Sequence, residues 1–288
     1  MRFTTRFTRY GIGDKPFAGP NPPSGALLTY YLKEKPEQKS RVAIEILDAT
    51  GKLVRELTTI PREAGFNRTS WDLGEEGPAR RRLTPESEAG GGGGTRGHAV
   101  LPGAYTIRLV VGDEKQDRQI QVLVDPTVSV SAAALREQYE MAVTLRDLIT
   151  TANKSLRKLD GVNEQLRQIE KTVREQMTDP PAALLTAIKA ESKVVEDMIG
   201  KMAAPRAEGL GYRGSSQIVD QLSSLYFSIQ GVNAGPTPAQ KEYLSELQPL
   251  ATAVVSEAQK LLNERIPKLN ELLRQHNGPI VVTGLNSK

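Results

Sequence analysis

The side chains that could move a proton or hold a metal are few and scattered. The chain has two histidines, His98 beside a glycine run and His276 near a helix end, and no cysteine. Without thiols there are no disulfides, no thiolate nucleophile and no cysteine zinc site. Neither histidine has a second one at ligand spacing. A Ser-His-Asp triad would have to recruit His98 or His276, yet no Gly-x-Ser-x-Gly turn presents a serine to them. Glycoside hydrolysis asks for two carboxylates facing each other across a cleft, about 5 Å or about 6.5–9.5 Å apart. The adjacent acids fit this poorly. Glu75-Glu76 falls in an irregular stretch and Asp113-Glu114 in a hairpin turn, while Glu170–Arg174 and Glu264–Lys268 are i,i+4 pairs of solvated helix faces. Asp72, beside Trp71, is expected to tie down a strand end by bonding backbone amides. The sequence therefore assigns no catalytic, cofactor-binding or metal-binding residue and calls for no cofactor.

Charge and glycine content exclude further chemistry. The 38 basic and 34 acidic residues leave a net charge of +4 that is spread evenly along the chain. Nucleic-acid binders concentrate basic charge on one face, whereas the basic clusters here are Arg2/Arg6/Arg9 and Arg80–Arg82. No nucleic-acid partner is expected. Gly90–Gly94 could suggest a phosphate cradle, but the Gly-Lys-Ser/Thr ending and following helix of a P-loop are missing. A flexible insertion over about 75–99 is the simpler reading. With no run of eighteen apolar residues, no membrane span is expected either.

The elements that would have to position any site fall into two periodicities. Residues 1–23, rich in Pro, Gly and aromatics, read as a linker or docking segment in which Tyr10 and Phe17, with Tyr30 and Tyr31 just beyond, are interface candidates. From residue 24 to 126 short alternating runs separated by turns predict an Ig-like antiparallel β-sandwich. Val42, Ile44 and Ile46 alternate in one strand, and a turn at Asp48–Gly51 makes a hairpin with one buried face. Trp71 ends another alternating run, after Phe66, and is expected in the core. After the Pro102-Gly103 turn, Tyr105, Ile107 and Leu109 point one way.

At Asp125-Pro126 the period changes. Ser131 is a candidate N-cap, and apolar residues from Leu135 through Leu156 and Leu166 to Met177 recur about every 3.5 residues. The stripe stays in register across Asp160-Gly161, so one helix roughly 70 Å long is predicted. Pro180-Pro181 starts a second helix carrying Leu184, Ile188, Val195 and Met198. Ile218, Leu222, Leu225 and Ile229 mark a third. The last runs from Thr237 (N-cap) to about His276, bent at Pro249 and Pro267. Residues 131–277 thus predict an antiparallel α-helical bundle, with 278–288 as a tail. The fold class is multidomain β + α.

The residues Ile46-Leu47-Asp48, Gly51-Lys52, Val54-Arg55, Gly65, Asn67, Trp71-Asp72 and Leu101-Pro102-Gly103-Ala104-Tyr105 resemble the Ig-like domain of flagellar hook-capping proteins. A longer resemblance rests on YGIGDKPFAGPNPPSGALLTYYL, the strands, and VDPTVSVSAAALREQYEMAVTLRDLI. In that order they are similar to the C-terminal region of bacterial sortilin-like, BNR-repeat proteins labelled glycosyl hydrolases, which are exported β-propeller proteins. The propeller's Asp-box repeat, Ser-x-Asp-x-Gly-x-Thr-Trp, does not occur here, so no propeller site residue is carried over.

The resemblance implies a non-catalytic accessory region that packs on a β-propeller or a protein partner. The alternatives are a glycan hydrolase, through the parent protein, and a carbohydrate- or peptide-binding module. Periplasmic or extracellular placement follows from the parent family. The first residues lack the apolar core of a signal peptide, so a complete chain would be cytoplasmic.

Overall fold

A computed structural model describes residues 25–81, 96–127, 129–177, 180–204, 217–230 and 234–283. Strands come first and helices follow, a mixed β and α chain. The strands are β1 (Ala26–Leu32), β2 (Val42–Leu47), β3 (Leu53–Leu57), β4 (Gly65–Trp71), β5 (Gly74–Glu76), β6 (Arg96–Ala99), β7 (Gly103–Val111) and β8 (Glu114–Val122). The helices are α1 (Ala132–Gln176), α2 (Ala182–Met202), α3 (Ile218–Gln230), α4 (Pro238–Lys260) and, after a π-helical turn at Leu261–Arg265, α5 (Ile266–Gln275). The chain divides into two compact units: residues up to Gly74 with Ala104–Val122, and Glu75–Gly103 with the chain from Leu123 onward. Among the described residues no helix is long and apolar enough to cross a membrane.

In the first unit β1 pairs antiparallel with β4, Ala26 opposite Trp71 and Leu32 opposite Gly65. A second sheet has the order β3-β2-β7-β8. The hairpin between β2 and β3 turns on Asp48, whose carboxylate accepts from the Thr50 and Lys52 amides and the Thr50 hydroxyl. Those bonds, the hydroxyl's foremost, hold the Asp48 carboxyl below its ordinary range. Gly51 occupies the left-handed region there, at φ +83°, where a side chain would be strained.

The alternation in β2 predicts one buried face, but both are covered. Val42, Ile44 and Ile46 fill one side, and Ala43 and Leu47 are buried on the other. Strand β2 is interior to its sheet, and an ion-pair web roofs the second face. In it Arg41 reaches Glu45 and Glu56 at 2.7 and 2.6 Å, and Arg108 binds Asp117 at 2.8 Å. In β7, Tyr105 and Ile107 are buried as the alternation predicts and Leu109 follows them half-buried on the same face, while Val110 is fully buried on the other face, opposite Ala43.

Trp71 is fully buried. Its ring meets Tyr105 edge to face at 5.5 Å, joining the two sheets, and its Nε1 donates to the Gly74 carbonyl at 2.9 Å. Gly25 lies so close that a Cβ there would sit 2.0 Å from the Trp71 carbonyl oxygen. Phe66, by contrast, points to solvent, and the position beside it inside the unit is taken by Asn67. Its amide bonds the backbone of Glu63 and Gly65.

In the second unit the long helix forms as its stripe predicts. Ser131 caps α1 by accepting from the Ala134 amide at 3.1 Å. Leu145, Ile149, Leu156, Leu159, Leu166 and Val173 are buried along one line through the Asp160-Gly161 pair. That line packs against α2, α3 and α4. Thr237 caps α4 in a reciprocal capping box with Gln240, and Pro238 stands in its first turn.

Pro249 is accommodated inside α4. At Pro267 the helix does not simply bend. A π turn precedes it, with the Ile266 amide bonding the Leu261 carbonyl five residues back. The physical reason is that a proline ring clashes with the carbonyl one α turn earlier and offers no donor. An extra residue in the preceding turn moves that carbonyl aside.

The burial of Trp71 generates a prediction. Trp71→Ala should destabilise the first unit by about 3–5 kcal/mol, the usual loss for a core aromatic. Trp71→Phe, which keeps the packing but orphans the Gly74 carbonyl, should cost about 1–3 kcal/mol. Chemical denaturation of the two variants measures both, and a negligible loss in Trp71→Phe would mean the hydrogen bond contributes nothing.

Candidate functional site

The buried acidic and basic side chains among the described residues lie in the second unit, around strands that sequence analysis placed in an irregular insertion. Glu75 of β5 and His98 of β6 are both buried. The two strands approach closely at Gly97, where a Cβ would lie 2.1 Å from the Glu75 carbonyl oxygen. Only glycine permits that approach. Gly90–Gly94 and Arg82 lie outside the described residues, as do Arg2, Arg6, Arg9, Tyr10 and Phe17. The flank that is described is anchored to α1. Ala79 exchanges hydrogen bonds with Thr150 and Asn153, the Arg80 carbonyl accepts from Arg157, and Arg81 forks onto Asp160 at 2.9 and 2.7 Å.

The Glu75 carboxylate is engaged at both oxygens. The Tyr139 hydroxyl donates to Oε1, and Arg146 Nη1 donates to Oε2 at 2.6 Å. Arg146 also reaches Asp147 at 2.8 Å. Burial pulls the Arg146 guanidinium down, but its bond to Asp147 and the charges of Asp147 and Glu75 outweigh that and hold it above its ordinary value.

His98 sits edge to face with Tyr139 at 5.1 Å, its Nε2 3.7 Å from Glu75 Oε2. Tyr226 of α3 closes the other side. Its hydroxyl accepts from the His98 amide at 3.1 Å and lies 3.3 Å from Nδ1. Burial pushes the imidazole down to about 4, against the pull of Glu75 and with a further push from Arg146. The His98 ring is therefore neutral at pH 7, and its Nε2 is buried without a hydrogen-bond partner. Burial likewise raises Tyr226 above the usual phenol range.

A cavity of about 110 Å³ adjoins the cluster, bordered by His98, Gln138, Tyr139 and Gln230 among apolar neighbours. That is room for a few water molecules. The arrangement can neutralise a buried carboxylate and pin two strands to two helices. The Glu75 carboxylate is not free to act as a base in it, since it is already engaged by a cation and a phenol.

The remaining candidate residues stay apart. His276 ends α5, its amide bonded to the Leu273 carbonyl. Asp113 is exposed in the turn between β7 and β8, and Glu114, also exposed, opens β8. Asp72 accepts from the Gly74 amide at 3.1 Å, tying the end of β4. Glu170 and Arg174 pair at 2.8 Å on the surface. Glu264 and Lys268 form no ion pair; Arg265 beside them binds Glu191 at 2.7 Å. No group of three or more acids and histidines among the described residues is placed to hold a metal.

In the first unit, Tyr30 donates to the Pro61 carbonyl. Tyr31 and Phe66 face each other across β1 and β4, exposed, with ring centroids 5.3 Å apart. Sequence reasoning missed Tyr226 and Arg146, which carry no local pattern beyond helical spacing.

The cluster should show in the pH dependence of stability. His98 in the folded chain takes up its proton only near pH 4, against about 6.5 unfolded. The unfolded chain thus binds more protons across that window, and stability falls as pH drops from about 6.5 to about 4, by on the order of 3 kcal/mol. His98→Gln should flatten that part of the profile in denaturation at stepped pH. An unchanged slope would assign the titration to other groups. Glu75→Ala, which leaves Arg146 short of its buried partner, should cost about 3–5 kcal/mol, read in the same experiment at pH 7.

No family model, no curated protein and no solved structure matches this chain.

Proposed function

We propose that this chain is a non-catalytic accessory region: an Ig-like antiparallel β-sandwich followed by an antiparallel α-helical bundle. It derives from the C-terminal part of an exported BNR-repeat glycosyl-hydrolase-like protein and packs on a β-propeller or a partner chain. The observation that carries the reading is the Glu75–Arg146–His98–Tyr226 cluster. Its ionisable groups are engaged with one another and serve to join strands to helices, which is a scaffold's use of charge. The two sheets joined through Trp71 and Tyr105, and the helices gathered along α1, support the two-part architecture.

A docking surface is available in the first unit. Leu27, Tyr31 and Phe66 are exposed large apolar side chains on paired strands, and Arg68 stands beside them, bonded to Thr29. Tyr and Arg are the residues that dominate protein interfaces. The same aromatic pair favours a second reading, a carbohydrate-binding face, because exposed rings also stack on sugars.

The reading is tested with purified chain on a panel of aryl glycosides and sialosides. No hydrolysis is expected. Turnover abolished by changing one acid of this chain would overturn it in favour of a hydrolase. Affinity electrophoresis in polysaccharide gels separates the binding readings. Retardation that disappears in Tyr31→Ser or Phe66→Ser would assign the face to glycans, and unchanged mobility leaves it to protein.

A further inference from the structure

Past α5 the chain does not trail away. Asn277 adopts a left-handed conformation at φ +54°, the Gly278 amide bonds back to the Leu273 carbonyl at 2.8 Å, and the chain turns onto the helices. From Pro279 it runs extended. In an extended strand the amide and carbonyl of one residue point to the same side, and those of the next residue to the other. Both sides are met here by a side-chain amide.

The Val281 amide donates to Asn270 Oδ1 and its carbonyl accepts from Asn270 Nδ2, each at 2.7 Å. The Val282 amide donates to Gln165 Oε1 at 2.8 Å and its carbonyl accepts from Gln165 Nε2 at 3.0 Å. The second proton of Gln165 Nε2 is directed to the Gly161 carbonyl of its own helix at 3.1 Å, which fixes the amide in place. Side chains alternate in the same way. Val281 is 3% exposed and part of the helical core, whereas Ile280 and Val282 are 43% and 44% exposed.

Asn270 and Gln165 thus read the main chain as a neighbouring β-strand would, and a single pocket reads one aliphatic side chain. None of this depends on the identity of Ile280 or Val282. Main-chain bonds with alternate side chains in pockets are the physics of extended-peptide recognition.

We propose that the groove between α1 and α5 is a docking site for an extended peptide of a partner protein, with an aliphatic residue at the buried position and this chain's own tail as its resident competitor. The inference is independent of the accessory-region reading. A tethered tail competes at an effective concentration on the order of millimolar, so a partner segment gains access when the tail loosens.

The chain lacks cysteine, so one introduced at Thr283 labels uniquely. Full-length Thr283→Cys carrying an environment-sensitive dye is titrated with the blocked peptide GPIVVT, the sequence of residues 278–283. A saturable emission change is expected at millimolar peptide. A peptide with Asp in place of the first Val should give none.

Adding Val281→Asp to the labelled chain, which expels the tail, should bring peptide binding at least tenfold lower in concentration, followed by fluorescence polarisation of labelled peptide. Adding Asn270→Leu should abolish it. No saturable response in either chain overturns the proposal, as does binding that survives Asn270→Leu. Should Val281→Asp lose its helical circular dichroism, the displacement titration of the Thr283→Cys chain decides alone. A concentration-dependent dimer in sedimentation, with no response to peptide, overturns it in favour of tails exchanged between two copies.

Discussion

The second unit is organised by one constraint: a helix of 45 residues carries an unbroken apolar line that it cannot bury alone. Each turn of α1 that faces inward needs a neighbour, and among the described residues no other helix there matches its length. The solution is to tile it. The shorter helices α2, α3 and α4 each cover part of the line. Exposed ion pairs such as Arg167–Glu196 and Lys241–Glu137 stitch the seams, but pairs so solvated contribute little beyond register. Hydrophobic burial sets the arrangement, and the charges only select among close alternatives.

Along part of α1 a different solution applies. Tyr139, Arg146, Thr150 and Asn153 present polar groups to the strands and the chain that follows β5 rather than apolar ones to a helix. A carboxylate removed from water must be compensated in full, and Glu75 is, by a guanidinium and a phenol. His98 is tolerated because it stays neutral. Its unpartnered Nε2 is a residual cost, consistent with a group whose position is dictated by β6 rather than chosen for its own bonds.

Much of the architecture was legible in the sequence because it depends on spacing. The line from Leu145 to Val173 reads as one helix through Asp160-Gly161, since periodicity outlasts a single poor helix former. Trp71 reads as core because bulk at a strand end has few other uses. The passage from strand to helix around Pro126 follows from the change of period. What resisted reading was long-range polar pairing. Glu75, His98, Arg146 and Tyr226 lie far apart in the chain, and nothing in their local sequence announces that they meet. Residues 75–81 and 96–99 looked irregular because their regularity is supplied by α1. The burial of Val110 on the far face of β7, and of both faces of β2, likewise depends on neighbours that alternation cannot name.

The π turn at Leu261–Arg265 bears on how this chain tolerates changes in its own length. A π turn holds one residue more than the α turn it replaces, and confines that surplus to a single bulge. Downstream, Ile266, Leu269 and Leu273 still face the core, so the surplus is absorbed locally and not passed along the helix axis. An insertion elsewhere in α4 or α5 would rotate everything after it by about 100°, turning Asn270 away from the segment it grips. At Leu261–Arg265 alone the helix already carries a slack link. A one-residue deletion there, made together with Pro267→Ala, would give a plain α-helix with the same inward face.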